Sequence, residues 1–359
     1  MEPNKKTSVF LRDVANIVMG QSPAGSSYNP NEGIEFHQGK SYFGEVLLDR
    51  SPVKTTQPTK FAQDGDIVIC VRAPVGIVNI TDRKICIGRG LASISAKDSI
   101  DQRFLFYLIQ SKKKVIEILA SGSTFSCISG PQLSELMLDI PSKDKQSVIS
   151  KTLYSLEKHI SNLEQLIRKQ ESIKKTTLKL LLTPKPHWTE YKIKEKFKVT
   201  RGLVLSTNQM SKSQNGVFQY PVYSSQTQNN GLIGFYNNFL YQDAITWTTD
   251  GANAGFVRFR PGKFYCTNVC GVLLSDEGYA NTCVATMLGN VSKKYVSYVG
   301  NPKLMNNVMA EIPLLFPSVQ EQQYISDKIQ KLDQQLEHLR SELDKYRSIK
   351  NGLMDYFFG

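Results

Sequence analysis

No run of about 18 apolar residues occurs in this 359-residue chain, so the sequence offers no membrane-spanning helix. The opening MEPNKKTSVF has no apolar h-region, which argues against a secretory leader. Cysteine is scarce and scattered: Cys70, Cys86, Cys127, Cys266, Cys270 and Cys283 read as reduced thiols, which points to the cytoplasm. Cys266 and Cys270 make one CxxxC pair with no second pair and no nearby histidine, whereas structural zinc needs four ligands; free, half-buried thiols are expected and no metal. The four histidines (His37, His159, His187, His338) form no constellation with a Ser or Cys nucleophile. A Walker A sequence is missing. Asn29-Pro30 and Asn301-Pro302 do not continue into the Asn-Pro-Pro-aromatic signature of an adenine methyltransferase. Ile87-Gly88-Arg89-Gly90 lacks GxGxxG spacing and reads as a tight turn. These absences predict no catalytic residue, no metal and no cofactor held by this chain, hence no enzyme by itself.

Negative charge is also in short supply. Forty-four Lys and Arg outnumber 32 Asp and Glu, giving a net charge of +12 and a pI near 9.2. Such a balance points to an acidic partner, and without a membrane segment nucleic acid is the better choice.

What is present is a repeat. PSKDKQSVISKTLYSLEKHISNLEQLIRKQESIKKTTLKL starts at Pro141, and a related stretch starts at Pro317, an offset of 176 residues. At that offset Gln146 meets Gln322, Ile149 meets Ile325, Leu163 meets Leu339, and Ser172-Ile173-Lys174 meets Ser348-Ile349-Lys350. Upstream, LRDVANIVMG (11–20) parallels IKEKFKVTRG (193–202), and GDIVICVRAPVGIVNI parallels DAITWTTDGANAGFVRF with Gly76 opposite Gly255. The chain therefore reads as globule, helix, globule, helix, with boundaries at 1–141, 142–183, 184–317 and 318–359.

Both helices carry a narrow seam at spacings of four and three. The first is Ile149, Leu153, Leu156, Ile160, Leu163 and Ile167; the second runs Ile325, Ile329, Leu332, Leu336, Leu339, Leu343, Tyr346, Leu353. Each seam suits one partner helix, so an antiparallel coiled coil within the chain is expected. A helix of about 40 residues is about 60 Å long, which equals about 17 base pairs of B-DNA. Residues 142–180 carry nine Lys/Arg against four Asp/Glu, and 318–359 carry six against seven, so the first helix is the basic one. The globules are mixed. IVICV (67–71) reads as a buried strand, residues 101–120 as a helix, and 122–130 as a loop. The fold class is α+β: two tandem strand-rich globules separated by two long helices that pair as an antiparallel coiled coil.

GQSPAGSSYN, GIEFHQGK, GDIVICVRAPVG, CIGRGLASI and GSTFSCISGPQL, in that order, resemble one target-recognition domain of a type I restriction–modification specificity subunit. YPVYSSQTQNNGLIGFYN and PSVQEQQYISDKIQKLD resemble the second domain and second helix of that family. The resemblance implies a non-catalytic subunit in which each domain reads one half of a split, asymmetric DNA site. It implies helices that set the spacer and dock modification subunits, two of them, which use S-adenosylmethionine to methylate DNA. Restriction subunits would add ATP and Mg-dependent translocation and cleavage. Gln146 in the first helix and Glu321-Gln322 in the second are the expected docking positions, although Lys145 stands where the second helix has Glu321. For base readout, polar residues at strand ends and in loops are expected, because Arg and Lys suit guanine edges while Asn and Gln suit adenine. These are Gln21, Gln38, Lys40, Arg72, Arg89 and Thr124 in the first domain, and Arg201, Ser225, Gln226, Thr249, Asn253 and Lys303 in the second. A non-catalytic coiled-coil adaptor and a recognition module of a DNA adenine methyltransferase remain open alternatives.

Overall fold

The computed structural model describes residues 6–120 and 126–359. They form two compact units, Met1–Glu164 with Glu342–Gly359, and Gln165–Ser341. Each unit thus holds one globule and a part of both long helices, rather than a globule alone.

The first unit is built on an antiparallel sheet in the order Ala15–Met19, Leu91–Ala96, Ile67–Cys70, Val78–Ile80. Ile67–Cys70 has no polar alternation because it is covered on both faces. Ile67 and Ile69 face a core with Leu105 and Ile109, while Val68 and Cys70 face a second cluster with Leu48, Ile85 and Ile87. The helix expected over 101–120 is two, Gln102–Ser111 and Lys113–Ala120, broken at Lys112. Asp101 starts the first by accepting from Phe104 N–H at 2.7 Å. A two-stranded ribbon, Thr7–Phe10 with Met137–Ile140, leads into the first long helix, Lys143–Leu181.

The second unit repeats this plan with longer strands. Its sheet runs Lys198–Arg201, Cys270–Leu274, Tyr241–Thr248, Val257–Cys266, Tyr220–Tyr223, Leu232–Tyr236. Trp247 lies flat over Gly271, where an added Cβ would stand 2.1 Å from the indole. Helix Thr282–Ser292 covers the sheet, and the ribbon Thr189–Lys192 with Pro313–Phe316 precedes the second long helix, Val319–Phe358. The two ribbons have the same register: Thr7 opposes Ile140 as Thr189 opposes Phe316.

The helices pair antiparallel within each unit. In the first, His159 lies near Glu342 and Tyr346, and Lys350 Nζ reaches Glu157 Oε1 at 2.6 Å. In the second, Glu171 meets Arg340 at 2.5 Å, and Lys174 pairs with Asp333. The seam is shorter than its periodicity suggests. Ile149 and Leu153 belong to the first globule's core, as do Leu353 and Phe358, while Ile325 and Ile329 belong to the second. The start of each helix is therefore anchored on the globule before it, because the same stripe that suits a helix also suits a sheet-and-helix core.

Candidate nucleic-acid interface

In the first unit, short backbone bonds tie the ends of four segments together. Gln21 N–H donates to Ile87 O at 3.0 Å, Gly88 N–H to His37 O at 2.7 Å, Val71 N–H to Gly90 O at 2.9 Å, and Ile128 N–H to Val71 O at 2.9 Å. Glycine is required at the crossing: an added Cβ on Gly20 would lie 2.2 Å from Gly88 O, and one on Gly90 2.2 Å from Gln38 O. The result brings Gln21, Gln38, Arg72 and Arg89 onto one exposed edge, with Lys40 exposed two residues beyond Gln38. Thr124 lies outside the described residues.

The second unit has the same frame. Leu203 N–H donates to Cys266 O at 3.2 Å, Thr267 N–H to Tyr223 O at 3.0 Å, Thr249 N–H to Val269 O at 3.0 Å, and Leu304 N–H to Thr249 O at 2.9 Å. The bonds match pairwise, so Leu203 takes the place of Gln21, Ser224 of Gln38, Asp250 of Arg72 and Asn268 of Arg89. The bridge between Arg72 and Cys127 becomes the bridge between Asp250 and Lys303.

Of the six residues expected to read DNA here, Arg201 and Lys303 flank Asp250, at 3.8 and 4.0 Å. Asn253 Nδ2 donates to Ser225 O at 3.2 Å, and Gln226 Nε2 to Leu232 O at 2.7 Å, so these three belong to one loop system. Thr249 stands apart from the other five. It is fully buried, and its hydroxyl donates to Asp250 Oδ2 at 2.6 Å, lies 3.1 Å from Val269 O and accepts from Arg201 Nη2 at 3.3 Å. Asn268 and Asp250 escaped the sequence reading. Extending the repeat through the glycine turn would have found Asn268, at an offset of 179 from Arg89.

Arginines hold both tips, Arg260 buried and Arg83 half-buried. Arg260 donates to Thr246 Oγ1 at 3.1 Å and Asn230 O at 2.6 Å, and stacks on Tyr223. It thereby fixes the turn in which Asn229 and Asn230 have positive φ. Burial lowers the Arg260 pKa, with the Tyr223 phenol opposing. In the first unit Arg83 clamps Glu35 through Nε at 2.8 Å and Nη2 at 2.6 Å, two residues before His37. Burial would raise the Glu35 pKa, but hydrogen bonds from Arg83 and His37 outweigh it and leave it lowered. Burial pushes His37 down, and the neighbouring Glu35 opposes that.

The expected docking glutamines lie at the starts of the long helices. Gln146 is buried, accepting from Asp101 N–H at 2.9 Å and donating to Pro141 O at 2.9 Å. Gln322 is equally buried, accepting from Asn281 Nδ2 and donating to Pro317 O, both at 2.8 Å. Both amides clamp the start of a long helix to its own globule. Glu321 faces outward but is held by Lys185 at 2.5 Å, His187 at 3.0 Å and Trp188 Nε1 at 3.2 Å. Burial would raise its pKa; the hydrogen bonds, that from Lys185 foremost, prevail and lower it.

Among the described residues, no group of three or more His, Cys, Asp or Glu is arranged to hold a metal ion. Cys266 and Cys270 are buried rather than half-buried. Their mutual hydrogen bond, the largest influence on both, raises the pKa of Cys266 and lowers that of Cys270. No helix among the described residues is long and apolar enough to cross a membrane.

Comparison with known proteins agrees with this doubled frame. The profile of the type I restriction modification DNA specificity domain matches residues 3–175 and again 186–344. The putative type I restriction enzyme MjaX specificity subunit of Methanocaldococcus jannaschii is 44% identical over 176 residues, which are 47% of this chain and 40% of that protein. The putative type I specificity subunit S.MpnORF289P N-terminus of Mycoplasma pneumoniae is 43% identical over 140 residues, 38% of this chain and 73% of that one. Thus the chain covers well under two thirds of the first relative's length. The crystal structure of a type I restriction–modification S subunit from M. genitalium has the same fold, with a TM-score of 0.75 at 20% identity over 100% of this chain and 97% of the other.

Proposed function

The chain belongs to the type I restriction–modification DNA specificity family, and from that premise we propose that it is the sequence-reading subunit of such a complex. Each globule reads one half of a bipartite, asymmetric site. The paired helices set the unread spacer and carry two modification subunits, which supply S-adenosylmethionine chemistry; restriction subunits supply ATP and Mg-dependent cleavage. The chain itself does no chemistry and positions its partners.

The observation that carries this reading is the repeated frame with changed tips. Two matching sets of backbone bonds present Gln21, Gln38, Arg72 and Arg89 in one unit, and Leu203, Ser224, Asp250 and Asn268 in the other. A rigid frame fixes the approach, and side chains with different donors and acceptors then select different bases. The surplus of cations supplies sequence-independent attraction to phosphate.

The test is to map methylated adenines genome-wide in the host with and without this gene. A split motif should vanish with the gene and return with complementation. An unchanged methylome, with intact modification subunits, would refute the assignment.

A further inference from the structure

The two units differ most beside the long helices. In the first, the outer edge of strand Val78–Ile80 is covered by the chain's own residues 43–48. Ile80 N–H donates to Val46 O at 2.7 Å, Leu48 N–H donates to Ile80 O at 3.0 Å, and Leu47 bridges Ile80 in parallel. Asn79 is buried beneath this segment and donates to Gly44 O at 3.2 Å. Glu45 reaches the helix pair, where burial and then the neighbouring Glu164 raise its pKa while Arg347 and Lys350 oppose them.

In the second unit the corresponding strand begins at Val257. The match is set by Gly76 and Gly255, whose N–H groups donate to Cys70 O and Thr248 O, both at 2.9 Å. Thr248 N–H bonds Phe256 O at 3.0 Å, so by antiparallel alternation Phe259, opposite Ile245, turns its N–H and C=O away from the sheet. No backbone partner for either is found among the described residues. Over this edge lies a cavity of about 630 Å³, walled by Lys174, Arg258, Phe259, Gly289 and Asp333. At the matching positions of the first unit's helix stand Phe106 and Ile109, both fully buried. Counting from the helix caps Asp101 and Asn281, their places are taken by Thr286 and Gly289.

We propose that this groove takes an extended segment of the modification subunit, added as a parallel strand beside Phe259, with an acidic residue followed by aliphatic ones. The first unit supplies the template, Gly44-Glu45-Val46-Leu47-Leu48, lying on the same strand position against the same helix pair. An unpaired strand edge favours addition of a strand, main-chain bonds giving affinity and flanking pockets giving choice. Arg258 is exposed where Asn79 is buried, and it supplies the cation for the incoming carboxylate; Lys174, on the same wall, is held by Asp333. The identity of the occupant rests on the functional reading above; the groove and its open edge do not.

Hydrogen exchange of the full chain, alone and assembled with the host's modification subunits, tests the proposal. Amides 257–260 should slow by on the order of tenfold on assembly. Gly289→Phe should weaken assembly on the order of tenfold, equivalent to about 1.4 kcal/mol. A Cβ at Gly289 meets only Val257 Cβ, at 3.8 Å, so the new ring has room to enter the groove, and replacing glycine within a helix does not cost helix stability. Arg258→Glu, at an exposed position, should weaken assembly in the same direction and carries the test if the first variant misfolds. Unchanged exchange at 257–260 in a complex that still methylates a split motif would overturn this proposal and leave the specificity reading standing. Protection produced by DNA alone, or by self-association of the chain, would also overturn it. Absence of any assembly would overturn both.

Discussion

The two units share a frame but exchange their charges. In the first, Glu164 of the first long helix meets Arg347 of the second at 2.5 Å; in the second, Arg340 meets Glu171 at the same distance. These positions correspond at the offset of 176, so the pair is kept while its signs are reversed. At the tips, Arg72 of the first unit gives way to Asp250, which draws Arg201 and Lys303 around itself. Backbone geometry is therefore what the repeat preserves, because glycines and strand register determine it. Side chains that face outward from that frame are free to diverge, and that freedom is what different half-sites require.

The largest contrast is in the helix pairs. Glu157 is buried, accepts from Tyr107 Oη at 2.6 Å and pairs with Lys350; its counterpart Asp333 pairs with Lys174 at a half-exposed site. Removing one member of a buried pair strands the other charge, whereas an exposed pair contributes little. Lys350→Ala should destabilise the first unit by about 3 kcal/mol, and Lys174→Ala the second by less than about 1 kcal/mol. Chemical denaturation of each variant measures this. Equal losses would mean that burial does not distinguish the two pairs.

A smaller effect separates the tips. Arg89→Ala should cost about 1–3 kcal/mol of DNA affinity and relax the methylated motif at one position of one half-site. Asn268→Ala should relax a position in the other half-site only. Methylome sequencing of both variants reads the outcome. If either substitution altered both half-sites, or neither did, the correspondence between Arg89 and Asn268 would not be one of function.

Much of this was legible in the sequence, for reasons that are local. The long helices announce themselves through an unbroken stripe, and Ile67–Cys70 through an apolar run between turns. Glu157 was not legible, because a carboxylate one residue past Leu156 looks like a solvated face until Tyr107 and Lys350, distant in sequence, close over it. Thr249 resembled a loop residue because the pattern does not reveal that Leu304 N–H comes back to bond it. Gln146 and Gln322 were visible as a matched pair, but the polar groups that bury them lie some forty residues upstream, at Asp101 and Asn281. In each case the missing information is a long-range pairing.

The smallest contrast lies where each ribbon meets its globule, and it is a matter of pH. Glu311 accepts from Lys192 Nζ at 2.8 Å and Lys194 Nζ at 2.5 Å, while its counterpart Glu135 has Arg12 Nη1 at 3.5 Å. The hydrogen bonds from Lys192 and then Lys194 hold the Glu311 carboxyl down to about 2, against an ordinary value of 4.5. A lowered folded pKa means the contribution is present above the ordinary value and is lost as pH falls from there through about 2. A carboxyl-carbon NMR titration should place the Glu311 midpoint near 2 in the unaltered chain, and Lys192→Ala should move it upward. A midpoint at the ordinary glutamate value in the unaltered chain would show that the two lysines do not hold it. Since the site is solvent-exposed, the effect on overall stability is slight, and the midpoint itself is the sharper measurement.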